Sequence, residues 1–257
     1  MKHITSQDNP FYKDLNKLSS SARQRGKVGQ TLLDGAHLLS AYLASGKQPQ
    51  HLIVTAAALH GLEIISLLNK LPDVPITQLD DVLFAELSEL KTVSGVLALI
   101  AVPQPDMMVQ NSRFCVLLEN IQDPGNLGSM LRSAAAAGCD AVFMSRGCAD
   151  AWSPRVLRAA MGGHFVLSLH EHSDLLGVAR EFPGTIYAAA LSATTSLYDS
   201  RLGGNIGFAI GNEGAGLSQE LLGMTIPFTI PMPGRVESLN AAAAAAICLF
   251  EAVRQRS

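Results

Sequence analysis

No apolar stretch in this sequence approaches the ~20 residues that a helix needs to cross a bilayer. The opening Met1-Lys2-His3-Ile4-Thr5-Ser6-Gln7 also lacks the apolar centre of a secretory signal. Both absences lead to the expectation of a soluble, cytoplasmic protein with no membrane partner. Cysteine is scarce and scattered: Cys115, Cys139, Cys148 and Cys248 form no C-x-x-C pair, which argues against a disulfide framework or a zinc ribbon and for buried, reduced thiols. His170 and His172 would project to one side of a continuous strand, but no third ligand accompanies them, so no metal is expected. The chain also lacks the dinucleotide fingerprint G-x-G-x-x-G and the P-loop G-x-x-x-x-G-K, which counts against a nucleotide-dependent oxidoreductase.

Apolar material, by contrast, is ample. Of the 257 residues 48% are hydrophobic, enough for one large domain or two ordinary ones with packed cores. The net charge of −3 gives little sign of a polyanionic partner, but its distribution does. Within residues 1–30, Lys2, Lys13, Lys17, Arg23, Arg25 and Lys27 oppose only Asp8 and Asp14, a local +4 that leaves −7 for the remainder. Such a basic end can guide a nucleic acid toward one part of a molecule, and the same residues also fit a solvated surface helix.

The first hundred residues alternate helical and extended patterns. Leu32 to Leu43 reads as helical, His51 to Thr55 as extended, and Gly95 to Val102 as a buried strand. A small α/β unit is expected over residues 1–102. Pro103 and Pro105 hold their predecessors extended, and polar Gln110-Asn111-Ser112 follows, so residues 103–112 read as a linker. Beyond it, apolar strands recur at Phe114–Leu118, Ala141–Ser145, Phe165–Leu169, Ile186–Leu191, Gly207–Ile210 and Phe228–Pro231, with helical patterns between most of them. That alternation predicts a second α/β domain over 113–257 built on a mainly parallel sheet. The last helix is read as starting at Ser238, its N-cap, and passing through six consecutive alanines that let another backbone approach closely.

Ligands of open α/β sheets sit outside the carboxyl ends of the strands, which directs attention to the strand-to-helix turns. In Asp123-Pro124-Gly125-Asn126-Leu127-Gly128 the first three residues suit a tight turn, Asn126 suits a helix cap, and Arg132 follows about 9 Å further along the helix axis. Arg132 fits either an anion site or an ion pair with a neighbouring carboxylate. In Gly211-Asn212-Glu213-Gly214-Ala215-Gly216-Leu217-Ser218, three glycines permit close backbone approach to a flat ligand or phosphate, or simply form a turn. In Ile230-Pro231-Met232-Pro233-Gly234-Arg235-Val236-Glu237-Ser238-Leu239-Asn240, a stiffened loop delivers Ser238 and Asn240 to a helix N-terminus, where amides favour electron-rich groups. Trp152 and Phe165 fit either base stacking or a core.

Taken in this order and spacing, the three segments resemble motifs 1, 2 and 3 of the SpoU (TrmH-like) RNA methyltransferases of the SPOUT superfamily. The resemblance spans roughly residues 113–257, and Ser153–Phe165 is similar to the family's connecting segment. Thr5-Ser6-Gln7-Asp8-Asn9-Pro10 and Leu32-Leu33-Asp34-Gly35-Ala36-His37 are similar to the small L30e/L7Ae-like RNA-binding domain often fused in front, with Asp34 where that domain usually has Glu.

This resemblance implies a deep trefoil knot in the C-terminal domain and S-adenosylmethionine held by backbone around Ala190, Gly211, Ile230 and Leu239. It further implies a site lined by Asn126, Arg132, Glu213, Ser238 and Asn240, a homodimer formed through the knots, and methylation of a ribose 2′-hydroxyl in structural RNA. Ribosomal RNA suits the fused basic domain, with Lys13, Lys17, Arg23, Arg25 and Lys27 as its contacts, better than transfer RNA does. A catalytically silent RNA-binding protein of the same fold is the other reading. Arg132 is sometimes given the role of general base in relatives, but a guanidinium is a poor proton acceptor, so it is expected to bind phosphate first.

Overall fold

The computed structural model describes residues 1–90 and 94–256. The chain forms two units, one of Met1–Pro103 with Trp152–Phe165, the other of Gln104–Ala151 with Val166–Ser257.

The first unit contains β1 (Lys2–Ile4), α1 (Pro10–Ser20), α2 (Ala22–Val28), β2 (Gln30–Asp34), α3 (Ala36–Ala44), β3 (His51–Val54), α4 (Leu62–Asn69), β4 (Ile76–Leu79), α5 (Asp81–Leu87) and β5 (Val96–Ala101). The start of α1 is set by Asn9, whose side chain accepts from the Phe11 N–H, and by Pro10 at the first helical position, where its missing N–H costs nothing. Spacing of three residues brings Tyr12, Leu15 and Leu18 to the buried face, where they meet Phe84, Leu87, Ile53 and Leu97. The mixed sheet runs β1-β4-β3-β5-β2, with β1, β4 and β3 mutually parallel and β5 antiparallel to both β3 and β2.

One helix read from the sequence begins too early. Leu32, Leu33 and Asp34 belong to β2, and α3 starts only at Ala36. Gly35, at φ 106°, is the reason: its backbone lies where L-residues rarely go and no helix can pass through it.

The second unit contains β6 (Phe114–Glu119), α6 (Pro124–Ala137) and β7 (Ala141–Met144). The chain then contributes α7 (Pro154–Ala160) to the first unit before returning with β8 (Ser168–His170), α8 (Leu175–Glu181), β9 (Thr185–Ala189), β10 (Ile206–Gly211), α9 (Gln219–Leu222), β11 (Ile226–Phe228) and α10 (Ala241–Arg256). Every pairing in the sheet β11-β9-β10-β6-β7-β8 is parallel. Cys115, Leu117, Ala209 and Ile186 pack with Leu175 and Phe182 around α8 and with Leu217 and Leu221 near α9. Strand alternation turns Val116, Leu118, Phe208 and Ile210 to the opposite face, and they are buried as well. A sheet buried on both faces explains why its strands read as continuous apolar runs.

Two expected boundaries shift. Residues from Gln104 onward belong to the second unit, where the Asp106 and Met107 N–H groups donate to Ser168 Oγ, so most of the proposed linker is packed chain. The segment Trp152–Phe165, read as part of 113–257, is built into the first unit. There Thr31 Oγ1 donates to the Trp152 carbonyl at 2.7 Å, Phe165 meets Tyr42 edge to face with 5.1 Å between centroids, and Arg158 donates to the Glu89 carbonyl. Trp152 and Phe165 are both buried, which gives them a core role.

Candidate active site

The site is assembled at the carboxyl ends of β6, β9 and β10. Beyond β6, Asn120 takes the left-handed backbone (φ 56°) and Asp123 caps α6, its side chain accepting from the Asn126 N–H at 2.8 Å. Asn126 is therefore not the cap expected from the sequence. It sits inside the first turn, and its side chain is released to reach sideways.

After β10 the chain folds back on itself. A Cβ on Gly211 would lie 2.3 Å from the backbone carbon and oxygen of Gly216, so only glycine permits this crossing. Gly216 itself has φ 68°. An antiparallel bridge pairs Asn212 with Gly216, and Asn212 Oδ1 accepts from the N–H groups of Gly214 and Ala215. Glu213 is held outward at the top of this closed loop.

The third segment enters α10 differently from the reading above. The helix begins at Ala241, and Asn240 caps it, with Oδ1 accepting from the Ala242 and Ala243 N–H groups at 3.0 and 3.2 Å. Ser238 lies outside the helix and exposed. Its residue type suits a cap, but the amide side chain two positions later takes that place.

Capping fixes the orientation of the Asn240 amide and aims its Nδ2 away from the helix. That nitrogen donates to Glu213 Oε1 at 2.8 Å and to Asn126 Oδ1 at 2.9 Å. Asn126 Nδ2 and the Ala241 N–H donate to the same Glu213 oxygen, at 2.9 and 3.1 Å. Three of the five expected site residues, one from each segment, thus form a closed network. Arg132 is exposed on α6 and makes no hydrogen bond or ion pair among the described residues, so the neighbouring-carboxylate alternative finds no partner there.

Next to this network is a cavity of about 360 Å³, within the size range of small-molecule sites. Ala190, Gly211, Ile230 and Leu239 all line it, as do Glu213 and Ser238. Leu217, Leu222, Phe228 and Met232 make much of its wall apolar, while Ser192, Gln219 and Thr229 add polar groups. An apolar slot with backbone exposed at glycine and a few polar side chains suits a flat ring carrying a polar tail.

Several supporting residues were not singled out from the sequence. Glu119 accepts from the Ser218 N–H and hydroxyl, and the Asn120 carbonyl accepts from Asn212 Nδ2 at 3.1 Å. The turn after β7 also packs on Asn120, whose amide oxygen would lie 1.9 Å from a Cβ on Gly147. Cys148 in that turn donates to the Leu118 carbonyl, and burial pushes its thiol up from the ordinary range. Only the position of Glu119 and Asn120, directly at the end of a strand, could have marked them.

His170 and His172 do not share a strand face, as they would if the strand continued. β8 ends at His170, which stacks on Phe143, and His172 takes the left-handed backbone at φ 55°. In the first unit, Lys13 and Lys17 are exposed and paired with Asp8 and Asp14 at 2.8 and 3.1 Å, while Arg23 and Lys27 are exposed. Arg25 differs from these. It is buried, and its guanidinium donates to the Leu18 and Ser19 carbonyls at the end of α1, which gives it a structural role.

Residues 113–250 match the SpoU rRNA Methylase family, and residues 9–98 match the MRM3-like substrate binding domain. An uncharacterized tRNA/rRNA methyltransferase of Synechocystis sp. is 32% identical, over 98% of this chain and 94% of its own. The 23S rRNA (guanosine(2553)-2′-O)-methyltransferase RlmP of Bacillus subtilis is also 32% identical, over 97% of this chain and 98% of its own. Among solved structures, an AdoMet-bound rRNA methyltransferase from Sinorhizobium meliloti superposes with a TM-score of 0.86 at 25% identity, covering 98% of this chain and 97% of that one. With these motifs, this network and near-full-length relatives, the chain belongs to the SpoU rRNA methylase family.

Proposed function

We propose that this protein methylates a ribose 2′-hydroxyl of ribosomal RNA with S-adenosylmethionine as donor. The observation that carries this reading is the closed Asn126–Glu213–Asn240 network at the mouth of the cavity lined by Ala190, Gly211, Ile230 and Leu239. The residues present fit the cofactor: the apolar wall suits an adenine ring, and the backbone around Gly211 and Ile230 is accessible to its polar edges. Bound there, the cofactor supplies an electrophilic methyl group on a sulfonium.

The chain's own part is alignment. Holding two reactants in line can lower a barrier by roughly 7–11 kcal/mol. Glu213 lines the cavity, Asn126 holds it from α6, and Asn240 locks the α10 N-terminus to both, which sets where a hydroxyl can stand. Arg132, exposed and without a hydrogen-bond or ion-pair partner among the described residues, can bind an RNA phosphate in the bidentate manner guanidinium favours, orienting the adjacent ribose. Removal of the hydroxyl proton depends on that phosphate contact rather than on Arg132 alone.

The first unit, matched to a substrate-binding family, presents Lys13, Lys17, Arg23 and Lys27 to RNA. A trefoil knot in the second unit and a homodimer formed through it complete the reading. Ala243 and Phe250, seven residues apart on α10 and both exposed, form the face that a second copy would cover. No helix among the described residues is long and apolar enough to cross a membrane.

The deciding experiment incubates the protein with labelled S-adenosylmethionine and either transcribed large-subunit ribosomal RNA or transfer RNA, then identifies the product by nucleoside mass spectrometry. A 2′-O-methylnucleoside formed only in ribosomal RNA is expected. Label in transfer RNA alone would redirect the substrate, cofactor binding with no transfer would favour a silent RNA-binding protein, and no cofactor binding would sink the reading.

A further inference from the structure

Two consecutive residues at the end of β6 hold both ends of the loop that carries Glu213. At its start, Asn212 Nδ2 donates to the Asn120 carbonyl at 3.1 Å. At its end, the Ser218 N–H donates to Glu119 Oε2 at 2.7 Å and the Ser218 hydroxyl donates to Glu119 Oε1 at 2.8 Å. Between those points the chain makes the tight crossing of Gly211 over Gly216, lines the cavity through Leu217, and presents Glu213 to Asn126 and Asn240. β6 and β10 are paired in register with Gly211 opposite Glu119, so the carboxylate stands beside the root of the loop it grips.

We propose that Glu119 is a positioning residue for methyl transfer: by clamping Ser218 it keeps the 211–218 loop closed, which shapes the cofactor cavity and places Glu213. The inference rests on the function proposed above. Geometry favours a carboxylate at position 119. Ser218 Oγ also accepts from the Leu221 N–H at 3.4 Å as the cap of α9, so its hydroxyl proton must go to an acceptor while the backbone N–H needs a second one. The two oxygens of one carboxylate meet both needs. Glutamine can keep the pair only by reversing the hydroxyl bond, and alanine leaves both Ser218 donors without their acceptor. A short four-residue helix such as α9 has little independent stability, so its entry point depends on this clamp.

The test uses the full-length protein and S-adenosylmethionine in calorimetric titrations, with turnover on transcribed large-subunit ribosomal RNA and thermal melting in parallel. Glu119→Ala is expected to raise the cofactor Kd about tenfold or more, equivalent to about 1.4 kcal/mol, and to lower kcat as well. Ser218→Ala should act in the same direction, the double variant should be no worse than Glu119→Ala, and Ser218→Thr should restore binding. A merely structural role would lower the melting temperature while leaving Kd and kcat of the folded protein at wild-type values, and that result would overturn the proposal. If Glu119→Ala does not fold, Ser218→Ala decides: a raised Kd supports the clamp, and unchanged Kd and kcat overturn it. Wild-type protein that binds no cofactor would overturn the function and the clamp's part in it together, whereas a binding wild type with equal binding by the folded variants overturns the clamp alone.

Discussion

Asn240 Nδ2 donates to Glu213 Oε1 at 2.8 Å while the Oδ1 of the same amide caps α10, so one side chain joins the helix terminus to the 211–218 loop. Glu213 Oε1 accepts from Asn126, Asn240 and the Ala241 N–H together. Changing Glu213 to alanine removes all three at once. Hydrogen bonds to charged groups are worth about 1.5–3 kcal/mol each but are not additive within a network, so a loss of at least about tenfold in kcat/KM is expected. Asn240→Asp tests the same relationship from the other side by placing an acceptor against an acceptor, and should be at least as damaging in steady-state assays.

Arg132 supplies a contrasting case. Because it is exposed and makes no hydrogen bond or ion pair among the described residues, Arg132→Ala should leave the denaturation midpoint unchanged, as is usual for an exposed side chain away from caps and cores. Turnover should still fall by about 100-fold or more, the scale on which removal of one preorganised donor at a reacting centre is felt. Arg132→Lys separates roles. If phosphate binding through a bidentate fork is what matters, lysine recovers little of the rate; recovery of most of it with an unchanged pH profile would mean that a point charge suffices.

The sequence carried this site well where chemistry depends on residue order and poorly where it depends on who reaches whom. The three turns were legible because proline, glycine and asparagine at strand ends have few other uses. The caps were not. Asp123, Asn126, Ser238 and Asn240 are all good capping types, and only the folded backbone decides that Asp123 and Asn240 cap while Asn126 faces its partners. Basic patterning misjudged Arg25 for a related reason, since charge along a chain does not reveal that the carbonyls ending α1 enclose one guanidinium. Residues 152–165 misled domain assignment because their apolar spacing says that Val156, Leu157 and Ala160 are buried but not against which sheet.

Gly211 should be intolerant of any side chain. An alanine Cβ would fall 2.3 Å from the Gly216 backbone, and since that neighbour is main chain rather than a flexible side chain, the loop must open. Gly211→Ala is therefore expected to abolish detectable cofactor binding in calorimetry while circular dichroism stays close to wild type. Gly203→Ala, where nothing lies within 4 Å, serves as the control and should bind normally.

The buried thiols predict a loss of stability in alkali. Burial pushes Cys115 and Cys248 up from an ordinary 9.0 to about 12. Between those values the unfolded chain has released protons that the folded chain retains, so stability falls as pH rises through that window, by about 1.4 kcal/mol per pH unit for each thiol. Urea midpoints at pH 8 and pH 10 should drop further for wild type than for Cys115→Ala/Cys248→Ala. An equal drop would show that other groups govern the alkaline limb.

Removing the first unit by cutting at residue 103 should not yield a well-behaved catalytic fragment. Trp152, Val156, Leu157, Ala160 and Phe165 would remain attached through the 152–165 segment, yet the β2 and α3 residues that cover them, including Tyr42 and the Thr31 hydroxyl, would be gone. Large apolar side chains each gain roughly 1.5–3 kcal/mol from burial, so exposing this group together creates an adhesive patch. Fragment 104–257 is expected to bind a hydrophobic dye and to associate in sizing chromatography. Replacing residues 152–165 with a flexible polar linker of similar length should suppress both effects and restore cofactor binding. A soluble, dye-silent fragment 104–257 with the segment intact would mean that 152–165 finds adequate cover within the second unit, and the allocation of α7 would have to be revised.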